Sequence, residues 1–190
     1  MRTSKITRDE ALKLLEKYNK EPFHIQHGLT VEYIILTHGH GDHICRVPEI
    51  KSKTNAKIVA HVNEEEVLID RNKNLSAQLP GPLVEFDADE YVQEGDIIEL
   101  GSLKLKVIHT PGHTKGGVCY YFADYGWLIS GDTLFQMSIG RTDFPTGNLN
   151  DLLTAIREKL FVLPPWTKVL SGHTPPTTIE EESRCNPFLQ

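Results

Sequence analysis

Within six residues, His38 to His43, the chain places three imidazoles and a carboxylate directly after the apolar, β-branched run Val31 to Thr37. A nearly continuous run of that kind reads as a strand buried on both faces. It delivers His38-Gly39-His40-Gly41-Asp42-His43 to the edge of a sheet, where several titratable groups would be desolvated together at a cost unless something bound them. Three more expected strands end in turns that carry His or Asp. His113 follows Leu103 to Ile108, Asp132 follows Trp127 to Ser130, and His173 follows Lys168 to Ser171. Loops at one edge of a sheet are held by a rigid scaffold, so these four turns are expected to meet in one cleft.

The rest of the pattern supplies the layers around such a cleft. Thr7-Arg8-Asp9-Glu10 has the form of a capping box, and Ala11, Leu12, Leu15 and Tyr18 share one face, which predicts an amphipathic helix over residues 8–19. Pro48 suits the first turn of a short helix ending near Thr54, and Lys57 to His61 reads as a strand. Asn63 followed by Glu64, Glu65 and Glu66 opens a helix with acid at its positive end. Residues 72–90, with Pro80-Gly81-Pro82, form a long loop. Ile97 to Leu100 and Leu103 to Ile108 flank Gly101-Ser102 as a hairpin, with Leu103, Leu105 and Val107 on its buried face. Val118 to Phe122 and Trp127 to Ser130 are two further strands, residues 149–160 a helix, and Lys168 to Ser171 a last strand. Alternating strands and helices with one clear hairpin predict an α/β layered fold with mixed strand pairing. No repeat or low-complexity linker divides the chain, so residues 1–190 are expected to form one domain.

Charge and composition narrow the function. Twenty Lys and Arg against 26 Asp and Glu give a formal charge of −6, which speaks against nucleic acid or an anionic membrane as partner. The longest apolar run, Val118 to Ala123, is far short of the ~20 residues that cross a bilayer, and Met1 to Glu10 has no apolar stretch of a signal peptide. Cys45, Cys119 and Cys185 are odd in number and widely spaced, which suits a reducing, cytoplasmic setting. Isolated histidines are usually surface or hydrogen-bonded residues, the reading given to His24, His27, His61 and His109. The clustered ones differ. Five imidazoles and two carboxylates are the donors that zinc, iron or manganese accept, and seven side chains suit two ions, three ligands each and one shared carboxylate.

The segments Thr37 to His43 (THGHGDH), Thr110 to His113 (TPGH), Gly131 to Thr133 (GDT) and Ser171 to His173 (SGH) resemble, in this order, the metallo-β-lactamase superfamily of metal-dependent hydrolases. The resemblance implies an αββα sandwich of two mixed sheets flanked by helices, with a dinuclear site at the sheet edge. It implies that His38, His40 and His113 hold one divalent ion, that Asp42, His43 and His173 hold the other, and that Asp132 bridges them, Asp42 and Asp132 being the catalytic carboxylates. Zinc is the first choice of metal. Within the superfamily, Gly131 to Phe135, Ser138 to Pro145 and Asn186 to Leu189 are similar to the glyoxalase II group. Those enzymes hydrolyse the thioester of a hydroxyacylglutathione such as S-lactoylglutathione, so the implied partner is a small-molecule thioester, a glutathione conjugate. By the same resemblance Arg141 and Asp143 bind substrate, with a local ion pair as the equal alternative.

Two departures from the pattern carry expectations. Larger glyoxalase II enzymes have a C-terminal helical domain that grips glutathione, so recognition here is expected to rest on loops 72–90 and 136–148 or on a second subunit, a homo-oligomer being compatible with the sequence. Relatives also begin with a hairpin ahead of the first helix, whereas here that helix starts near residue 8 and Glu21 to Thr30 has the character of an insertion, so the usual N-terminal hairpin is expected to be lacking. Persulfide dioxygenases share a similar GRTDF loop but bind a single iron through residues matching His38, His113 and Asp132; the full second set of ligands favours the hydrolase. The remaining alternative is a truncated copy with weak metal binding and no activity.

Overall fold

The protein was analysed as a computed structural model, which describes residues 30–190. The helix over residues 8–19, the insertion ahead of Thr30 and the missing hairpin lie outside the described residues.

The first sheet is parallel. β1 (Tyr33–Ile35) pairs with β2 (Lys57–His61), and β2 with β3 (Glu90–Val92). The crossover from β1 to β2 contains α1 (Gly41–Ile44) and α2 (Val47–Thr54), which ends at Asn55 in a left-handed conformation. After β2 the chain makes a 3₁₀ turn (Val62–Glu64) and a short α3 (Glu65–Leu68). Asn63 does not cap a helix as expected. It donates its own N–H to His61 Nδ1 (3.2 Å), and Glu64 is drawn inward and buried. β3 begins where the expected loop over residues 72–90 ends; only Val92 of its three residues is buried, so no alternation marks it.

The second sheet begins with the expected hairpin, β4 (Ile97–Leu100) and β5 (Leu103–His109), which turns at Gly101 with φ +61°. β6 (Val118–Phe122) and β7 (Trp127–Gly131) follow, then a separate small hairpin of β8 (Leu134–Phe135) and β9 (Ser138–Ile139). α4 (Leu149–Ala155), capped by the Asn148 side chain, runs on into a π turn (Ile156–Leu160), together the expected helix. β10 (Lys168–Ser171), β11 (Thr177–Thr178) and α5 (Ile179–Cys185) complete the described residues. The strand order is β11-β10-β7-β6-β5-β4, with β10 parallel to β7 and the other pairs antiparallel.

Strand periodicity sorts the side chains into three apolar layers. Val59, Val92, Val107 and Tyr120 meet between the two sheets. Ile58 and Ala60, on the other face of β2, pack with Ile44, Val47 and Leu68 of the helices. Ile108, Cys119, Leu128 and Val169 pack with Leu152, Ile156 and Leu160 beneath α4. The result is the αββα sandwich, helix on sheet on sheet on helix. Each fully buried Leu or Ile in these layers contributes about 1.5–3 kcal/mol, and together they hold the strand ends that carry the histidines.

Candidate metal centre

Four connections build the centre. β1 runs through Leu36 and Thr37 into His38 and His40, and the first turn of α1 supplies Asp42 and His43. The turn after β5 supplies His113, the end of β7 supplies Asp132, and the turn after β10 supplies His173. All seven residues named from the sequence come together. His38, His40 and His113 form one group and Asp42, His43 and His173 another, each with candidate ligand atoms within 4.8 Å of one another; His38, His43 and Asp132 form a third that overlaps both.

Hydrogen bonds behind the ring nitrogens set their roles. His113 Nδ1–H donates to the Arg141 carbonyl (2.7 Å), which leaves the Nε2 lone pair facing His40 Nδ1 at 2.8 Å. His38 Nδ1 lies 3.2 Å from Thr37 Oγ1. Asp132 spans the two groups. Its Oδ1 is 3.3 Å from His43 Nε2, and its Oδ2 is 3.2 Å from His173 Nε2 and 3.6 Å from His113 Nε2. Asp42 Oδ2 sits 3.3 Å from His173 Nε2. The packing leaves no room to spare. A Cβ on Gly172 would come within 2.5 Å of Asp132 Oδ1 and 2.9 Å of His43 Cε1.

Protonation follows from these surroundings. Burial, then the imidazoles of His43, His113, His40 and His173, hold His38 well below the usual imidazole range. Burial and His113 push His40 down to about 3, against the pull of Asp132. Burial also lowers His113, against the Arg141 carbonyl and Asp132. At His43 burial is outweighed by Asp132 and Asp42, and the ring is raised. At Asp132 burial is likewise outweighed, by His43, His113 and His173, which keep it ionised. The first group, His38, His40 and His113, therefore holds neutral imidazoles beside the anionic carboxylate of Asp132.

That donor set fits metal ions. The buried Nε2 atoms of His38 and His40 and Oδ1 of Asp132 have no hydrogen-bond partner among the described residues. An unsatisfied buried polar atom costs about 1–3 kcal/mol, and His38 and Asp132, which carry two of these atoms, share a group of candidate ligands with His43.

A cleft of about 330 Å³ opens onto the centre, walled by Leu75, Leu79, Phe135 and Phe144. A cavity of about 230 Å³ under Pro80, Gly81 and Pro82 adjoins it and shares Asp42 and Leu79. Leu75 holds φ +66°, a left-handed conformation uncommon for a leucine; the neighbouring Asn74 carbonyl accepts the Gly41 N–H (2.6 Å). Arg141 reaches the cleft, but its guanidinium binds Asp143 through two hydrogen bonds (3.0 and 2.7 Å) and lies over the Phe144 ring at 4.2 Å. His61 and His109 stay apart from the centre, stacked on each other at 4.0 Å, whereas His24 and His27 lie outside the described residues.

One buried residue of the site was not foreseen. Glu64 accepts hydrogen bonds from Gly39 N–H, Gly116 N–H and the Thr114 hydroxyl. Burial pushes its carboxyl up to about 7 against the pull of those three donors. Its position at the head of an acidic run disguised it, and the first of three consecutive glutamates gives no signal that it turns inward.

The profile of the metallo-β-lactamase superfamily matches residues 8–173, a span that takes in all seven residues of the centre. The chain belongs to this superfamily. Members of the superfamily are metal-dependent hydrolases that bind a dinuclear centre. Over 163 residues the chain is 45% identical to the probable metallo-hydrolase YqgX of Bacillus subtilis, covering 85% of this chain and 77% of that protein. It is 34% identical to the hydroxyacylglutathione hydrolase GloC of Haemophilus influenzae, over the same shares of each. Among solved structures, BLEG-1 B3 metallo-β-lactamase superposes with a TM-score of 0.81 at 37% identity, covering 97% of this chain and 86% of the other. The expected superfamily and sandwich are thus established. Among the described residues no helix is long and apolar enough to cross a membrane.

Proposed function

We propose that this chain is a dinuclear metal-dependent thioester hydrolase whose substrate is a hydroxyacylglutathione of the S-lactoylglutathione type, working in the cytoplasm. The observation that carries this reading is Asp132, a nearly buried carboxylate with His43 and His173 on one side and His113 on the other. His38, His40 and His113 would hold one ion, Asp42, His43 and His173 the second, and Asp132 both. Once bound, the ions supply Lewis acidity for the thioester carbonyl and a nucleophile from water at neutral pH.

The remaining work belongs to the chain. Asp132 keeps both groups in one frame, so the carbonyl carbon and its attacking oxygen meet at a fixed distance. Asp42, with 46% of its side chain exposed, is the centre's carboxylate open to the cleft and is placed to orient the attacking water. Leu75, Leu79, Phe135 and Phe144 exclude water from the acyl group and strengthen the electrostatics there. The adjoining cavity gives the thiol arm space on the far side of Asp42. Arg141 and Asp143 would meet the glutathione part from the rim of the cleft. The likeness to GloC supports this substrate class.

The test is hydrolysis by the metal-loaded protein of S-lactoylglutathione, a cephalosporin and glutathione persulfide, side by side. Release of thiol from the first, with kcat/KM at least about 10²-fold above the cephalosporin, is the expected result. That ratio corresponds to about 2.7 kcal/mol of transition-state discrimination. Faster turnover of the cephalosporin, or oxygen consumption with the persulfide, would replace this reading by a β-lactamase or a dioxygenase.

A further inference from the structure

We propose that Glu64 is the positioning residue of the first metal group, a carboxylate that ties the His38–His40 turn to the His113 turn and sets the spacing at which the three imidazoles meet one ion. This role presupposes the metal reading of the centre. Glu64 is 1% exposed, at the end of the 3₁₀ turn that follows β2. Its Oε1 accepts the N–H of Gly39, the residue between His38 and His40, at 2.7 Å. Its Oε2 accepts the hydroxyl of Thr114, the residue after His113, at 2.9 Å, and the N–H of Gly116 at 2.9 Å. One carboxylate thus bonds to both turns that carry the first group, turns more than 70 residues apart in the chain, as the 73-residue separation of His40 and His113 shows.

The neighbours are shaped for this reach. A Cβ on Gly39 would stand 3.1 Å from Glu64 Oε1, and one on Gly116 only 2.5 Å from Oε2. Glycine at both places lets the carboxylate come up to the backbone amides. Glu66, two residues on, faces outward and pairs with Lys73 and Lys115. A second buried carboxylate provides the contrast. Glu182 is also fully buried and accepts three hydrogen bonds, from Met137 N–H, the Thr177 hydroxyl and the Asn186 amide. None of those three residues adjoins His38, His40 or His113, so Glu182 braces the fold without touching the first group.

The two glutamates separate a positioning role from a structural one. Stripped wild-type, Glu64→Gln and Glu182→Gln proteins are titrated with Zn²⁺ against a chromophoric chelator at pH 8, and the Co²⁺-loaded forms are compared by visible absorption. The Gln amide presents an N–H where Oε1 or Oε2 accepted one, so Glu64→Gln should bind its tighter ion about 10–100-fold more weakly, the range seen when groups that orient metal ligands are changed. Its Co²⁺ bands should shift as well. Glu182→Gln should lose thermal stability but keep the wild-type affinity and spectrum. Should Glu64→Gln fail to fold, Thr114→Val removes one donor without opening a hole and should weaken the same ion by a smaller factor. Wild-type affinity and an unchanged Co²⁺ spectrum in Glu64→Gln, or in Thr114→Val where that is the folded variant, would overturn the role of Glu64, whatever happens to stability. A wild-type protein that takes up no Zn²⁺ would overturn the metal reading instead.

Discussion

His38, His40 and His113 are 3–5% exposed, whereas the side chains of Asp42 and His173 are about half exposed, at 46% and 50%. Both groups sit on turns at strand ends and both reach the cleft, yet the first is backed by Glu64 and by the Arg141 carbonyl, while Asp42 and His173 of the second stand open to solvent. The difference separates two tasks. A site whose imidazoles are held neutral and oriented before an ion arrives binds it without reorganisation, while a site open to solvent can exchange its ion and admit substrate. Asp132 belongs to both surroundings and couples them.

Removing ligands from either side tests this contrast most strongly. His113→Ala should lose both ions and lower kcat/KM by at least about 10³-fold, several kcal/mol of transition-state stabilisation, with the far-UV circular dichroism unchanged. His173→Ala should keep one ion per chain and retain more activity; loss of both ions from it would make the two groups equivalent. Dialysis of the wild type against increasing chelator should release metal in two steps, the exposed group first, and one concerted step would contradict the comparison.

A smaller effect concerns His61, a buried imidazole outside the centre. Burial and the stacked His109 push it down to about 4. Its folded form is neutral where the unfolded chain takes up a proton near 6.5, so its stabilising contribution is present above about pH 6.5 and is lost as pH falls toward 4. In urea unfolding at pH 7.5 and pH 5, His61→Gln should reduce the loss of stability by about 1–2 kcal/mol. An identical loss in both proteins would remove His61 from the acid response. The smallest effect is expected at Arg141. Its pair with Asp143 is exposed and screened by solvent, so it holds the side chain only weakly. Arg141→Ala should raise KM for a glutathione thioester by no more than about 5-fold with kcat unchanged; an unchanged KM would make the pair a brace of the loop alone.

The legible parts of the molecule are those whose signal is local. The hairpin of β4 and β5 shows in the alternation of Leu103, Leu105 and Val107 with Lys104 and Lys106, and each ligand turn shows because its His or Asp lies within a few residues of a strand pattern's end. What stayed hidden depends on partners far along the chain. Glu64 meets Gly39 from 25 residues away and Gly116 from 52, and no spacing rule reports that. β3 owes its register to β2, Val59 opposite Glu90, rather than to a pattern of its own. α5 does carry a local signal, although its polar face gives it no apolar stripe. Thr178 and Glu181 have the spacing of a capping box, and the Thr178 hydroxyl accepts the Glu181 N–H at 3.2 Å.

The central claim is a dinuclear centre of unequal halves, and metal content per chain by elemental mass spectrometry meets it most directly, on protein purified without chelator and again after brief dialysis against a weak one. The account predicts two equivalents of zinc, iron or manganese at first and one afterwards. A single equivalent of iron from the outset would contradict the dinuclear hydrolase and favour a mononuclear oxygenase, and no metal even after reconstitution would contradict the metal centre itself.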